Sequence, residues 1–324
     1  MEISAPRLRF HNCAAMTETL ECQVATDSID AILPAGGRIE GELARESATD
    51  IKALLMLDGA TLLERAITAL RGSPRINRIV VIGPPHMSTH AAARDADIVL
   101  SEGDSGPENI FRGLNWLQEN QSNPNQASSP QAASSHNNSE EIESRDEKIA
   151  QSNRDESRDG IETSVASGKR VLIATTDLPF LTPQAINDFL DKCSPQARIC
   201  VPIYTKDEFE ARFPNEGGEY IRLSDGEWTA GCVYLLDGEA LLRNRAHIED
   251  IFNARKSQIA MARLLGPAFI ARFLTRRLAI PHILQRCEHV LKCRGQAVRG
   301  CAPELAFDID SIEDLRAARL SRPT

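Results

Sequence analysis

The sequence predicts an α/β fold in three layers, with helices on both faces of a mostly parallel sheet. Short apolar or β-branched runs stop at Gly or Pro, segments of helical period lie between them, and the two kinds alternate. The run DAILPAGG, from Asp30, ends at Pro34 and the Gly36-Gly37 pair and reads as a first buried strand. ATLLERAITALRG follows, with Leu62, Leu63, Ala66, Ile67 and Leu70 at helical spacing. RIVVIGP is a second strand, closed by Gly83 and Pro84, and DIVLSE after Ala96 is a third. ENIFRGLNWLQ places Ile110, Leu114 and Leu117 on one helical face. KRVLIATTDLPFLTPQAINDFL reads as a buried strand, a turn, and a helix with Thr182 as N-cap and Pro183 at its first position. RICVPIY is another strand, and GCVYLLDGEAL reads as a strand followed by a turn. Strands buried on both faces by crossover helices are parallel, and ligands of such sheets bind beyond the strands' carboxyl ends.

Composition bounds the rest. The chain has 324 residues, 42% hydrophobic and 26% charged, as in ordinary globular proteins. Between residues 119 and 168 it turns rich in Ser, Asn, Gln and charge without one aromatic residue, the signature of a disordered insertion. Loop closure costs little more as a loop lengthens, so the flanks can share one domain. The expected organisation is an N-terminal extension over 1–28 and a single domain over 29–324, interrupted at 119–168. No apolar run approaches the roughly 18 residues of a membrane span, and the N-terminus lacks a signal-like apolar core, so the expected compartment is the cytoplasm. Cys13, Cys22, Cys193, Cys200, Cys232, Cys287, Cys293 and Cys301 form no CxxC pair and read as reduced structural thiols. A net charge of -9 argues against nucleic acid as partner.

By the strand-end rule, the loop after AILPA sits where a ligand belongs. Gly36 and Gly37 can take positive φ and bring backbone N–H groups close to an anion, with Arg38 and Lys52 supplying charge. Alone, the same pair reads as a plain turn; it is neither GxGxxG nor GxxxxGK[ST]. Asp177 follows an apolar strand directly and precedes Leu178-Pro179, so its carboxylate belongs at the same edge, where hard oxygen ligands suit Mg2+. Alone, it reads as a turn-forming Asp. In PELAFDIDSIEDL, Asp308 and Asp310 fall on one face of an extended segment and Ser311 caps the helix after it.

In this order ILPAGG, Lys52 within DIKALLMLDGATLLERAI, RIVVIGP, PENIFRGL, ATTDLPFLTPQAI, GCVYLL and AFDIDSIEDL resemble the nucleoside triphosphate transferase superfamily, which includes molybdenum cofactor guanylyltransferase and phospholactate guanylyltransferase. The likeness runs from about Ala31 to Leu320. It implies a Rossmann-like fold of the nucleotide-diphospho-sugar transferase (GT-A-like) type and a Mg2+-bound triphosphate, GTP in those relatives, over the glycine loop. A nucleotide monophosphate then passes to a small phosphorylated acceptor with release of pyrophosphate. Residue by residue, it implies nucleotide binding by Ala35, Gly36, Gly37, Arg38, Lys52 and Asn109, catalysis by Lys52 and Arg38, and Mg2+ ligation by Asp177 and Asp310. Asp310, aligned through Leu315, matches the second ligand position better than Asp308.

The departures are specific. Members read LAGGxSxRMGxxK, whereas this chain has Pro34, no RMG, and RIEGELARESATDIK before Lys52. Arg38 and Arg45 are the candidates for the catalytic arginine. The stretch from Ile251 to Leu291 reads as two basic amphipathic helices separated near Gly266-Pro267. Such helices can lie on an anionic membrane surface, but their apolar faces suit ordinary burial, so the expected role is an acceptor-side subdomain or a homodimer contact, and a membrane is not an expected partner. His282 and His289 read as surface or packing residues, and EGGEYIRLSDGEWTAGC as an acceptor loop or a hairpin around Asp225-Gly226. The competing functions are a glycosyltransferase of the same fold, for which DID spells DxD, and a nucleotide-binding module without catalysis.

Overall fold

Strand β1 (Ile29–Pro34) lies inside a nine-stranded sheet. The computed structural model describes residues 28–120, 169–214, 219–254 and 265–321; the expected N-terminal extension up to residue 27 and the insertion from residue 121 to 168 lie outside the described residues. The sheet order is β5 (Ile98–Ser101), β4 (Ile76–Gly83), β1, β6 (Arg170–Ala174), β10 (Val233–Asp237), β7 (Ile199–Thr205), β9 (Gly226–Ala230) and β8 (Ile221–Leu223), and β11 (Gly295–Val298) adds to β7 off this path. Pairs β5–β4, β4–β1, β1–β6 and β7–β11 are parallel. The exception at the centre is β10, antiparallel to both β6 and β7. It ends not in a turn, as expected, but in helix α6 (Gly238–Arg243), because Asp237 accepts the Ala240 N–H as its N-cap.

The alternation of side chains along β1 builds the three layers. Ala31 and Leu33 join the cluster shared with α2 (Leu62–Arg71) and α4 (Pro183–Lys192), through Leu63, Ile67, Ile186 and Phe189. Ile32, facing the other way, joins Phe111, Leu114 and Leu117 of α3 (Gly106–Glu119). Each such fully buried aliphatic side chain contributes about 1.5–3 kcal/mol. The helix starts follow from their caps. Thr61 forms a capping box with Glu64, and Thr182 accepts from Ala185 N ahead of Pro183. Ahead of α2, β2 (Met56–Leu57) and β3 (Ala60–Thr61) form a hairpin whose Asp58-Gly59 turn has φ of 49° and 84°. Both are positive, as a type I′ turn requires.

At the amino-terminal edge of the sheet the fully buried Asp30 carboxylate accepts from Arg78 Nη2 (2.7 Å) and pairs with Lys169 Nζ (2.9 Å). Burial raises its pKa, but the Arg78 and Lys169 charges outweigh that and hold it below the usual value. Arg78 also donates to the Asn120 carbonyl at 3.1 Å, so both ends of the excursion between Asn120 and Lys169 are tied to one carboxylate.

The region expected as two basic helices is partitioned differently. Helix α7 (Arg245–Ala254) comes first; the expected separation at Gly266-Pro267 is present, since Leu265 is helical, Gly266 with φ 83° is not, and Pro267 opens α8 (Pro267–Leu274), while a second break falls before α9 (Ile280–Leu291). His282 Nδ1 accepts from Ala279 N at the start of α9, and His289 is exposed. The stretch around Asp225-Gly226 is the β8–β9 hairpin. The described cysteines are all free thiols.

Candidate active site

The carboxyl ends of β1, β4, β5 and β6 converge on one edge. Ala35 N donates to Ile82 O at 2.6 Å, Glu102 N to Gly83 O at 2.8 Å, and Thr176 Oγ1 to Pro34 O at 3.3 Å. This fixes the glycine loop above the strand ends. Neither glycine takes a positive φ, contrary to expectation. What Gly36 provides is room: a Cβ there would lie 1.8 Å from Glu102 Oε2, while one at Gly37 would meet Lys52 Cβ at an ordinary 3.6 Å. Among the described residues nothing accepts from the N–H groups of Gly36 or Gly37.

The long stretch before Lys52 forms a closed excursion. Arg38 and Ile51 form an antiparallel bridge, Ile39 N donates to Asp50 O, and Lys52 N donates to Gly37 O, both at 2.9 Å. Between them lies α1 (Gly41–Ser47), strapped to α10 (Ile312–Leu320) by Arg316 with Glu42 (2.9 Å) and Glu46 (3.1 Å), and by Arg319 with Glu46 (2.7 Å). The extra residues therefore leave Lys52 beside Gly37 despite the altered spacing.

Lys52 Nζ donates to Asp177 Oδ2 at 2.5 Å and also to Asp310 Oδ1. Burial opposes its charge, but the two carboxylates outweigh burial and hold its pKa above the ordinary lysine value. The C-terminal segment reaches Asp177 through Ile309 N, which donates to the Asp177 carbonyl at 3.2 Å, and through Cys232 N, which donates to Leu305 O at 2.7 Å. Buried Phe307 and Ile309 alternate with Asp308 and Asp310, which therefore share a side. Asp314 Oδ2 accepts from Asp310 N (3.0 Å) and from Ser311 N (2.7 Å) in the capping box of α10.

Carboxylate oxygens of Asp177, Asp308 and Asp310 all lie within 4.8 Å of one another. Asp308, ranked below Asp310 in the sequence, belongs to the same cluster. Burial, then the charges of Asp177 and Asp310, push its carboxyl pKa up to about 7. Asp177 Oδ1 is buried with no hydrogen-bond partner. Three clustered carboxylates, one ammonium and an unpartnered buried oxygen fit a divalent cation with hard oxygen ligands.

The remaining predicted residues divide. Arg38 stands at the loop, donating to Gly36 O (2.6 Å) and pairing with Glu102 Oε1 (2.5 Å), whereas Arg45 is exposed on α1. Ala35 is fully buried and offers only backbone. Asn109 is buried in α3, and its Oδ1 accepts from Gly103 N at 2.6 Å, shaping the loop after β5. Sequence reasoning missed Glu102. Its signal was available, since it follows the DIVLS strand directly at the same edge.

A family model described as the MobA-like NTP transferase domain matches residues 35–278. The chain is similar to the 2-C-methyl-D-erythritol 4-phosphate cytidylyltransferases of two Aliivibrio fischeri strains, 34% identical over 98 residues. That match covers 29% of this chain and 40% of each relative, so the chain spans well under two thirds of the curated relatives it matches. Among solved structures it is similar to a hypothetical transferase from Thermus thermophilus, with 25% identity and a TM-score of 0.66 over 89% of this chain and 99% of that one.

Proposed function

The chain belongs to the MobA-like NTP transferase domain family, and from that premise we propose that it moves a nucleotide monophosphate from a nucleoside triphosphate to a small phosphorylated acceptor. The observation that carries this reading is the meeting of Lys52 with Asp177 and Asp310 beside the glycine loop, with Asp177 Oδ1 left unpartnered.

In the proposed reaction an acceptor phosphate oxygen forms a bond to the α-phosphorus, the bridging bond from that phosphorus toward the β-phosphate breaks, and pyrophosphate leaves. A phosphate oxygen is already anionic, so no side chain has to remove a proton. The protein's task is to position the groups and offset the developing negative charge. The free N–H groups of Gly36 and Gly37 bind triphosphate oxygens, and the Lys52 ammonium turns from the carboxylates to the phosphates. Arg38 reaches the same phosphates on leaving Glu102. Asp177, Asp308 and Asp310 would hold Mg2+. When bound, that ion supplies further charge neutralisation for the triphosphate.

GTP is the nucleotide implied by the sequence resemblance and CTP the one suggested by the names of the curated relatives. The same names favour a phosphorylated polyol as acceptor. Melting the purified protein with each NTP, with and without Mg2+, identifies the base, because a ligand of the folded state raises Tm. A Mg2+-dependent shift lost in Asp177→Ala, with pyrophosphate released on adding acceptor, supports transfer. Release of a nucleoside diphosphate from a nucleotide sugar would replace it with glycosyl transfer. Binding without turnover would replace it with a nucleotide-binding module.

A further inference from the structure

Helix α8 contains no buried residue, and Ala271 through Arg277 are all exposed before Leu278 returns to the interior at 3% exposure. At this tip Phe273 and Leu274 are 49% and 74% exposed and are flanked by Arg272 on one side and Arg276 and Arg277 on the other. The tip is preformed. Arg277 N donates to Arg272 O at 2.7 Å and Arg276 N to Phe273 O at 3.0 Å, the two bonds of a Schellman helix end. The residue after the cap in that motif is usually glycine, because its φ is left-handed; here it is Arg276, at φ 56°.

We propose that this tip docks the protein on an anionic phospholipid surface, with Phe273 and Leu274 entering the acyl boundary and Arg272, Arg276 and Arg277 at the headgroup phosphates. Charge singles out this occupant. No Asp or Glu occurs from Gly266 to Cys287, the nearby Asp225 carboxylate accepts from Ile280 N at 3.2 Å, and among the described residues no carboxylate pairs with Arg272, Arg276 or Arg277. The whole chain carries a net charge of -9, so an anionic surface repels most of the molecule and attracts this face. Among the described residues no helix is long and apolar enough to cross a membrane; a short apolar tip ringed by arginine attaches reversibly instead.

The test is co-sedimentation of the full chain with vesicles of phosphatidylcholine alone and of phosphatidylcholine mixed with phosphatidylglycerol. Binding is expected only to the mixed vesicles, falling with added salt and by about fivefold for each arginine removed in Arg272→Gln and Arg277→Gln. Phe273→Ser with Leu274→Ser should abolish it. Arg276→Gly relieves the left-handed strain, so it keeps the fold while removing one charge. Equal binding to both vesicle types, no binding to either, or unchanged binding by the tip variants overturns the proposal. So does concentration-dependent self-association, measured by ultracentrifugation without lipid, that the tip variants abolish; it would assign the tip to a second copy of the chain.

Discussion

Lys52→Met removes the ammonium from the carboxylate cluster while keeping most of the aliphatic stem. In the folded protein Lys52 pairs with Asp177 and Asp310, whose side chains are 14% and 72% exposed. Deleting one partner of a buried pair costs about 3–5 kcal/mol. Solvent screens the exposed Asp310 side, so the expected loss is about 2–3 kcal/mol. At about 2–4 °C per kcal/mol, Tm in EDTA should fall by roughly 4–12 °C. The sign with pH is fixed as well. The folded pKa of Lys52 lies above its ordinary value, so its contribution is complete at any pH below about 10 and is lost only above that. Removing the ammonium also removes the competitor for the three carboxylates. Mg2+ at about 100 times its dissociation constant should return about 2.7 kcal/mol. Calorimetric melts of both proteins in EDTA and in Mg2+ measure each quantity. If the variant melts with the wild type in EDTA and ignores Mg2+, the cluster is neither strained by excess charge nor a cation site.

Gly231→Ala puts a Cβ 2.8 Å from the Leu305 carbonyl oxygen and from Pro202 Cγ. Since backbone cannot swing aside, the segment leading to Asp308 and Asp310 must move; we expect a loss of about 1–3 kcal/mol together with a weaker Mg2+-dependent nucleotide shift, both read from melting curves. Asp30→Asn removes the charge that Arg78 and Lys169 share, at an expected cost of about 3–5 kcal/mol near neutral pH. Because the folded pKa of Asp30 is depressed, the wild-type advantage is full above a pH of about 4 and shrinks as pH falls through the folded value, which denaturant midpoints across pH test. Gly36→Ala must displace the Glu102 carboxylate, so its cost should vanish in a Glu102→Ala background, a coupling of about 0.5–3 kcal/mol in a double-mutant cycle of stabilities.

The features legible in the sequence are those that local chemistry dictates. Thr182 ahead of Pro183, Ser311 ahead of its helix, and the alternation that puts Asp308 and Asp310 on one side of buried Ile309 all follow from positions within a few residues of one another. Asp177 was legible because a carboxylate directly after an apolar strand has one sheet edge to occupy. The direction of β10 was not, since a run apolar at Val233 and Leu235 reads alike in either orientation. Nor could spacing choose between Asp308 and Asp310, because their distance from Lys52 depends on contacts such as Cys232 N to Leu305 O that close long loops. For the glycine pair one part of the expectation fails, the positive φ. Its φ values are ordinary, and the requirement at Gly36 is the space occupied by Glu102, a residue far along the chain.

Arg78 and Lys169 bring both ends of the excursion between Asn120 and Lys169 to Asp30, at the sheet edge opposite the glycine loop. A seam placed there behaves as a port. Chain can be lengthened, shortened or exchanged between those two anchors without altering the spacing of Gly36, Lys52 and Asp177. It is the natural place to graft a tag, a reporter or a second domain, and a place where related chains are free to diverge in length while sharing one chemistry.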